Sequence, residues 1–210
     1  MTDPVRAGYD AVARDYAREI GGELAAKPLD RALLAAVAEL AGGGRIGDLG
    51  CGPGHVAAHL AALGADVIGV DLSDGMVEVA RARVPEAGFV QGDLRRLPLA
   101  DGALAAAVAL YSLIHLPPGD LPVAAREIAR VLRPGGHALV AFHRGDEVRH
   151  LDTWWGHAVD IDFRFLDPDV VAGHLRDAGM DVVARLDRAP VAGAESATER
   201  TYLLARVSAD

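Results

Sequence analysis

Hydrophobic positions along the chain follow two periods. Val5, Tyr9, Val12, Tyr16 and Ile20 recur at spacings of three and four, which places them on one stripe of a helix. Asp3-Pro4 starts that helix: an acid able to cap free N–H groups, then a proline whose missing N–H costs nothing in the first turn. Leu29, Leu33, Val37 and Leu40 repeat the pattern, and Gly42-Gly43-Gly44 ends the second helix. From there short apolar runs alternate with helical stripes. Strands are predicted over 45–49, 66–70, 88–91, 104–111 and 137–142. Val56, Leu60 and Leu63 mark a helix between the first two strands, and further helices are predicted over 74–83 and 120–132. Residues 104–111 are almost wholly apolar, as a central parallel strand covered on both faces should be. A less regular stretch holding Trp154 and Trp155 follows, then a helix over 168–178 and two closing strands over 181–186 and 201–207. Such alternation predicts an α/β fold, a doubly wound parallel sheet with helices on both faces.

At 210 residues, without repeats or a long polar linker, the chain suits one domain. It divides into an N-terminal helical lid (1–43), a cofactor-binding core (44–143), and an acceptor cap segment with the closing strands (144–210). The net charge of −9 repels phosphate backbones and disfavours nucleic acid as a partner. Cys51 is the single cysteine, so no disulfide forms within the chain, which fits a reducing cytoplasm. The opening Met1-Thr2-Asp3-Pro4 shows no basic segment followed by an apolar run, so no signal peptide is expected. The most apolar stretch, 103–116, is shorter than the ~20 residues a membrane span needs.

The densest chemical signal is Gly47-Asp48-Leu49-Gly50-Cys51-Gly52-Pro53-Gly54, which follows a strand and opens a helix. Ligands of open α/β sheets sit at such carboxyl ends, and glycines there let backbone approach a ligand closely. A dinucleotide site would place a third glycine where His55 stands, and Pro53 removes one N–H that a pyrophosphate could use. Asp71, at the end of the second strand, can accept hydrogen bonds from a ribose diol. That function is common to dinucleotide and other nucleoside sites. Gln91-Gly92-Asp93-Leu94 closes the third strand. There an acid can accept from an exocyclic amine while Leu94 packs on an adenine ring. With strand order 3-2-1-4-5, Gly50, Asp71 and Asp93 would sit on adjacent strand ends and span ~10 Å, about the length of an adenosine with its sulfur substituents.

These motifs resemble those of the class I S-adenosylmethionine-dependent methyltransferases of the bacterial small-molecule branch. Tyr9-Asp10-Ala11-Val12-Ala13-Arg14-Asp15-Tyr16 is similar to the family's lid helix, Asp48 to Gly54 to its methionine motif, Val70-Asp71-Leu72-Ser73 to its ribose motif and Gly92-Asp93-Leu94 to its adenine motif. Val131-Leu132-Arg133-Pro134-Gly135-Gly136 resembles the turn before the fifth strand. The resemblance implies a Rossmann-like seven-stranded sheet with its last strand antiparallel. It implies S-adenosyl-L-methionine as cofactor, with Tyr16, Asp48, Gly50, Cys51, Gly52, Asp71, Leu72, Gly92, Asp93 and Leu94 around it. Asp48 and backbone near Gly50 would hold the methionine amino group, and Tyr16 would approach the carboxylate or methyl end. The expected reaction is O- or N-methylation of a small molecule by in-line displacement. The alternatives are a nicotinamide-dependent oxidoreductase, disfavoured by His55 and by Asp93-Leu94, and an inactive nucleoside-binding module.

A general base helps if the acceptor starts protonated. His115, after the fourth strand, and His143, after the fifth, are the candidates, and for His115 a structural role is an equal alternative. Tyr111-Ser112-Leu113-Ile114 stands where exocyclic-amine methylators carry Asp/Asn-Pro-Pro-Tyr/Phe, which argues against adenine in DNA as acceptor. Tyr9, Trp154, Trp155 and Phe163, with Phe165, could line an apolar acceptor pocket; a small satellite core is the competing reading. Asp160 and Asp162 read as solvated turn acids. His55 and His59 have the i, i+4 spacing of paired metal ligands but no third ligand nearby, so no metal is expected.

Overall fold

In the computed structural model, which describes residues 3–208, the first apolar stripe is α1 (Pro4–Glu19). Asp3 caps it, accepting from the backbone N–H of Val5 at 2.9 Å. Then follow α2 (Pro28–Ala41), β1 (Ile46–Leu49), α3 (His55–Ala62), β2 (Val67–Asp71), α4 (Asp74–Arg83), β3 (Gly88–Gln91) and β4 (Leu104–Leu110). The second half is α5 (Leu121–Val131), β5 (Leu132–His143), β6 (Val148–Trp154), β7 (His157–Arg164), α6 (Pro168–Asp177), β8 (Met180–Arg188) and β9 (Arg200–Val207).

Seven strands form one sheet in the order β3-β2-β1-β4-β5-β9-β8. β1 to β5 are mutually parallel, and β9 runs antiparallel to both of its neighbours. The last strand of the chain is therefore antiparallel, as expected. The apolar β4 lies mid-sheet, and every residue from Leu104 to Ala109 is buried. Helices cover both faces: residues of α5 and α6 pack in one core, those of α2, α3 and α4 in the other. Among the described residues no helix is long and apolar enough to cross a membrane.

Two elements differ from the sequence reading. β5 begins at Leu132, not at 137: Leu132 pairs with Leu104 while His137 pairs with Ala106, so residues 133–136 bulge from the ladder. Pro134 and Gly135, the latter at φ +73°, read as a turn in sequence but here interrupt a continuing strand. The stretch around the tryptophans is not irregular. It is an antiparallel hairpin, β6-β7, separate from the main sheet. Trp154 pairs with His157 around a two-residue turn whose residues, Trp155 and Gly156, both have positive φ. The hairpin lies against α1. Gly8 of α1 permits this approach, because a Cβ there would stand 2.6 Å from Ile161 Cδ1.

Candidate active site

The parallel topology brings the ends of β1, β2 and β3 side by side. Gly50 N–H donates to the Val70 carbonyl at 2.7 Å, and Gly92 N–H donates to the Asp71 carbonyl at 2.8 Å. These tips open on a cavity of about 350 Å³. Asp48, Gly50, Cys51 and Gly52 border it from β1 and its turn, Asp71 and Leu72 from β2, and Gly92, Asp93 and Leu94 from β3. His115 borders it from beyond β4, and Tyr9 and Tyr16 from α1.

Each of the three acids is held differently. Asp48 is 2 % exposed, and burial pushes its carboxyl up to about 7 against the pull of His55. Its Oδ2 is buried without a hydrogen-bond partner among the described residues. Asp71 accepts from Gly52 N–H at 2.7 Å and Ser73 N–H at 2.9 Å, one on each oxygen. Burial nevertheless raises it to about 6. Burial would raise Asp93 as well, but the Arg95 guanidinium grips both its oxygens at 2.6–3.0 Å and holds it below the ordinary value. Arg95 also reaches Asp120 at 3.0 Å and Asp3, the α1 cap, at 3.5 Å.

Gly50 is a geometric requirement. Its φ is +80°, and a Cβ would meet Ser112 Cβ at 2.2 Å. The Ser112 hydroxyl in turn donates to the Leu49 carbonyl at 2.8 Å. Tyr111, directly before it, has φ +58°, a conformation side chains other than glycine rarely adopt and one that collects at functional sites. Tyr111 borders the cavity, and its hydroxyl meets that of Tyr202 at 2.9 Å; Tyr202 donates to the buried Asp30 at 2.7 Å.

His115 is fixed at both nitrogens. Nδ1 lies 3.0 Å from the Asp162 carbonyl and therefore carries the proton, because a carbonyl only accepts. Nε2 accepts from the Tyr9 hydroxyl at 2.8 Å. Burial lowers the imidazole to about 4. Folding thus favours the neutral ring, and its contribution to stability is lost as pH falls from the ordinary histidine range towards 4. We expect histidine-selective ¹H–¹⁵N NMR to show a neutral Nδ1–H tautomer from pH 5 to 8. An Nε2–H tautomer, or titration above pH 6, would break this assignment.

The remaining sequence candidates lie elsewhere. His143 does not border the cavity: it accepts from or donates to Thr198 Oγ1 at 2.9 Å and stacks with Phe165. Trp154, Trp155 and Phe163 do not border it either. Trp154 packs edge-on against Tyr9, Tyr16 and Phe163, clamping α1 to the hairpin, so alternation along β7 turns the apolar side chains towards the lid. The opposite face of β7 supplies Asp160, Asp162 and Arg164 to the cavity wall. Arg164 donates to Asp162 at 2.7 Å, and its Nε is buried without a partner among the described residues. Among those residues no three metal-binding side chains converge. Sequence reasoning missed Glu23, Asp30, Arg95, Tyr111 and Arg164, all at the cavity. Arg95 carried a local signal, two residues after an acid already singled out, and Tyr111 stands in the segment compared with the amine-methylator motif.

Residues 46–136 match the model of a methyltransferase domain. The chain is 37 % identical over 136 residues to a demethylmenaquinone methyltransferase of Beutenbergia cavernae, covering 63 % of this chain and 55 % of that protein. It is 37 % identical over 150 residues to the methyltransferase GfsG of Streptomyces halstedii, covering 67 % and 51 %. The chain thus spans about half the length of these curated relatives. Among solved structures, the CcbJ methyltransferase of Streptomyces caelestis superposes with a TM-score of 0.75 at 21 % identity, over 99 % of this chain and 100 % of that one, which shows the shared fold. The glycine turn and the strand-tip acids that border the cavity all lie within the residues, 46–136, that match a methyltransferase domain.

Proposed function

We propose that this chain transfers a methyl group from S-adenosylmethionine to an oxygen or nitrogen of a small molecule. The carrying observation is that Asp48, Asp71 and Asp93, on three neighbouring strand tips, border one cavity in which Asp48 Oδ2 is buried without a partner among the described residues. The residues fit the donor. Asp48 would take its ammonium, Asp71 would accept from the ribose hydroxyls, and Asp93 with Leu94 would read the adenine. Gly50 leaves the space that a Cβ and its displaced neighbours would fill. When bound, the donor supplies an electrophilic methyl on a cationic sulfur.

The chain's own contribution is placement and exclusion of water, which supply much of the acceleration for such a displacement. α1 and the hairpin close over the strand tips through the Tyr9–His115 hydrogen bond and the Trp154 cluster. On the acceptor side, Arg164 Nε offers a donor to an oxygen of the acceptor, and Tyr9 keeps lone pairs with which to orient an O–H or N–H. His115, lowered to about 4, is a weak base, and we assign it the positioning of Tyr9. His143 has no part in this arrangement.

Calorimetric titration with S-adenosylmethionine and with NAD, followed by detection of S-adenosylhomocysteine over a metabolite panel, tests the proposal. Binding of the methyl donor alone, with turnover on a panel member, is expected. NAD binding, or donor binding without turnover on any compound, counts against it.

Donor affinity should also depend on pH. A cation selects ionised Asp48, whose pKa is about 7 in the unliganded chain. Affinity therefore rises as pH rises through 7, and it should be roughly 30-fold weaker at pH 5.5 than at pH 8 from the fraction of Asp48 ionised. Unliganded stability moves the other way, falling between pH 4 and 7 as a buried carboxylate is forced to ionise. An affinity flat from pH 5.5 to 8 would remove Asp48 from the ammonium site.

A further inference from the structure

A buried hydrogen-bond chain leads from the cavity into the protein, and the roles assigned above leave it unused. It starts at Tyr111, which borders the cavity immediately after β4. The next residue, Ser112, closes on Gly50, so Tyr111 stands beside the glycine turn, at the methionine end of the proposed donor site. Its left-handed backbone, φ +58°, is a strain that persists where a site requires it. The Tyr111 hydroxyl meets that of Tyr202 at 2.9 Å. Tyr202, 2 % exposed in β9, donates to Asp30 Oδ1 in α2 at 2.7 Å.

The direction of the chain is set at its inner end. A carboxylate only accepts, so the single Tyr202 proton is committed to Asp30. The Arg188 guanidinium donates to Tyr202 Oη, at 2.7 Å through Nη2 and at 3.2 Å through Nε. Tyr202 therefore accepts from Tyr111, whose proton points inwards. Burial pushes the Tyr111 hydroxyl up to about 12, so it keeps that proton at neutral pH. What Tyr111 has left to offer is a lone pair, the partner of an O–H.

We propose that Tyr111 binds the methyl acceptor and takes its proton, that Tyr202 and Asp30 form the outlet behind it, and that the acceptor is a small molecule methylated at a neutral hydroxyl. This rests on the methyl-transfer reading above. An amine or a carboxylate arrives with a free electron pair and needs no outlet, whereas a hydroxyl must lose its proton as the methyl arrives. The acceptor oxygen bonds the methyl carbon as the carbon–sulfur bond breaks, and sulfur keeps that electron pair. The acceptor's proton passes to Tyr111, Tyr111's to Tyr202 and Tyr202's to Asp30. One positive charge on sulfur and one negative charge on Asp30 vanish together. Arg188 stays paired, because Glu195 accepts from it at 2.7 and 2.9 Å. Asp30 borders the cavity and returns its proton to water there. The Tyr9–His115 pair has a worse ending: a proton on His115 would make a buried cation, which burial and Arg164 both oppose.

One test needs no turnover. Phenol and its methyl ether anisole are titrated, by ¹H NMR, into the chain saturated with S-adenosylhomocysteine. Phenol should bind roughly 3- to 10-fold more tightly, the worth of a hydrogen bond the ether cannot donate. Tyr111→Phe should abolish that preference. The second test is turnover on the best hydroxyl compound of the metabolite panel. Tyr111→Phe should lower kcat by roughly 100- to 10,000-fold and leave KM and S-adenosylhomocysteine affinity within about 2-fold. Tyr202→Phe keeps both rings but cuts the relay. It should lower kcat by at least roughly 10-fold while the phenol preference stays. Single-turnover rates of the native chain in mixed H₂O and D₂O should follow a curve, because several protons move together. That reading needs no variant and stands even if a substitution unfolds the chain. Turnover confined to amines or carboxylates, a phenol preference that is absent or survives Tyr111→Phe, normal kcat in either variant, or a linear D₂O dependence overturns the relay and leaves methyl transfer intact. Failure to bind S-adenosylhomocysteine, or no turnover on any compound, overturns both.

Discussion

Replacing Asp71 by alanine is expected to reduce affinity for S-adenosylmethionine by roughly 100- to 1,000-fold, the equivalent of losing about two charge-assisted hydrogen bonds. The carboxylate has two tasks. Inside the chain it anchors the glycine turn by accepting from Gly52 N–H at 2.7 Å, and it starts the run into α4 by accepting from Ser73 N–H at 2.9 Å. Towards the ligand its remaining lone pairs would meet the ribose diol. Alanine leaves two backbone donors unpaired and removes the ribose contact together. Asp71→Asn separates the tasks: its single oxygen can keep one backbone bond, and the affinity loss should be smaller. Calorimetry measures both variants, with thermal melts alongside. An Asp71→Ala chain that binds the donor normally would remove the ribose assignment.

Gly50→Ala is expected to be the most damaging substitution for the fold of the site. The new Cβ would lie 2.2 Å from Ser112 Cβ, at a backbone φ of +80°. Left-handed backbone costs about 1–2 kcal/mol for a residue with a Cβ, and overpacking adds about 1–3 kcal/mol. A fall in Tm of roughly 5–15 °C follows, with donor binding lost because the turn must shift. Gly52→Ala is the control. It shares the left-handed backbone, at φ +52°, but the nearest atom to its Cβ is Tyr16 Cε1 at 4.0 Å. It should pay only the conformational part. Equal Tm losses for the two variants would show that the Ser112 contact is not the cause.

What could be read from the residues divides along physical lines. The strand tips were legible because each carries a local signature of glycine and a single acid at the end of an apolar run, while the sheet order entered as an assumption. Asp48, Asp71 and Asp93 all reached the cavity for that reason. The β6-β7 hairpin was not legible. Only β7 alternates, with Val159, Ile161 and Phe163 on one face and Asp160, Asp162 and Arg164 on the other; β6 has polar residues on both faces, and the turn is Trp155-Gly156, where asparagine or aspartate would have flagged it. Missing that period reversed the expected facing of the segment. The tryptophans went to the lid, and Asp160 and Asp162, read as solvated acids, border the cavity. Asp30 was invisible for another reason: its partners, Arg188 and Tyr202, are distant in sequence, and no spacing rule connects them.

The hairpin's separateness carries a consequence of its own. It shares no ladder with the seven-stranded sheet, and its alternate residues face the lid on one side and the cavity on the other. Under the proposed function, changes at 160, 162 and 164 would alter which molecules are accepted, while Val159 and Ile161 keep their grip on α1. On that reading, a chain built this way would exchange one customer for another through three inward positions on a single hairpin, with its methyl supply left untouched.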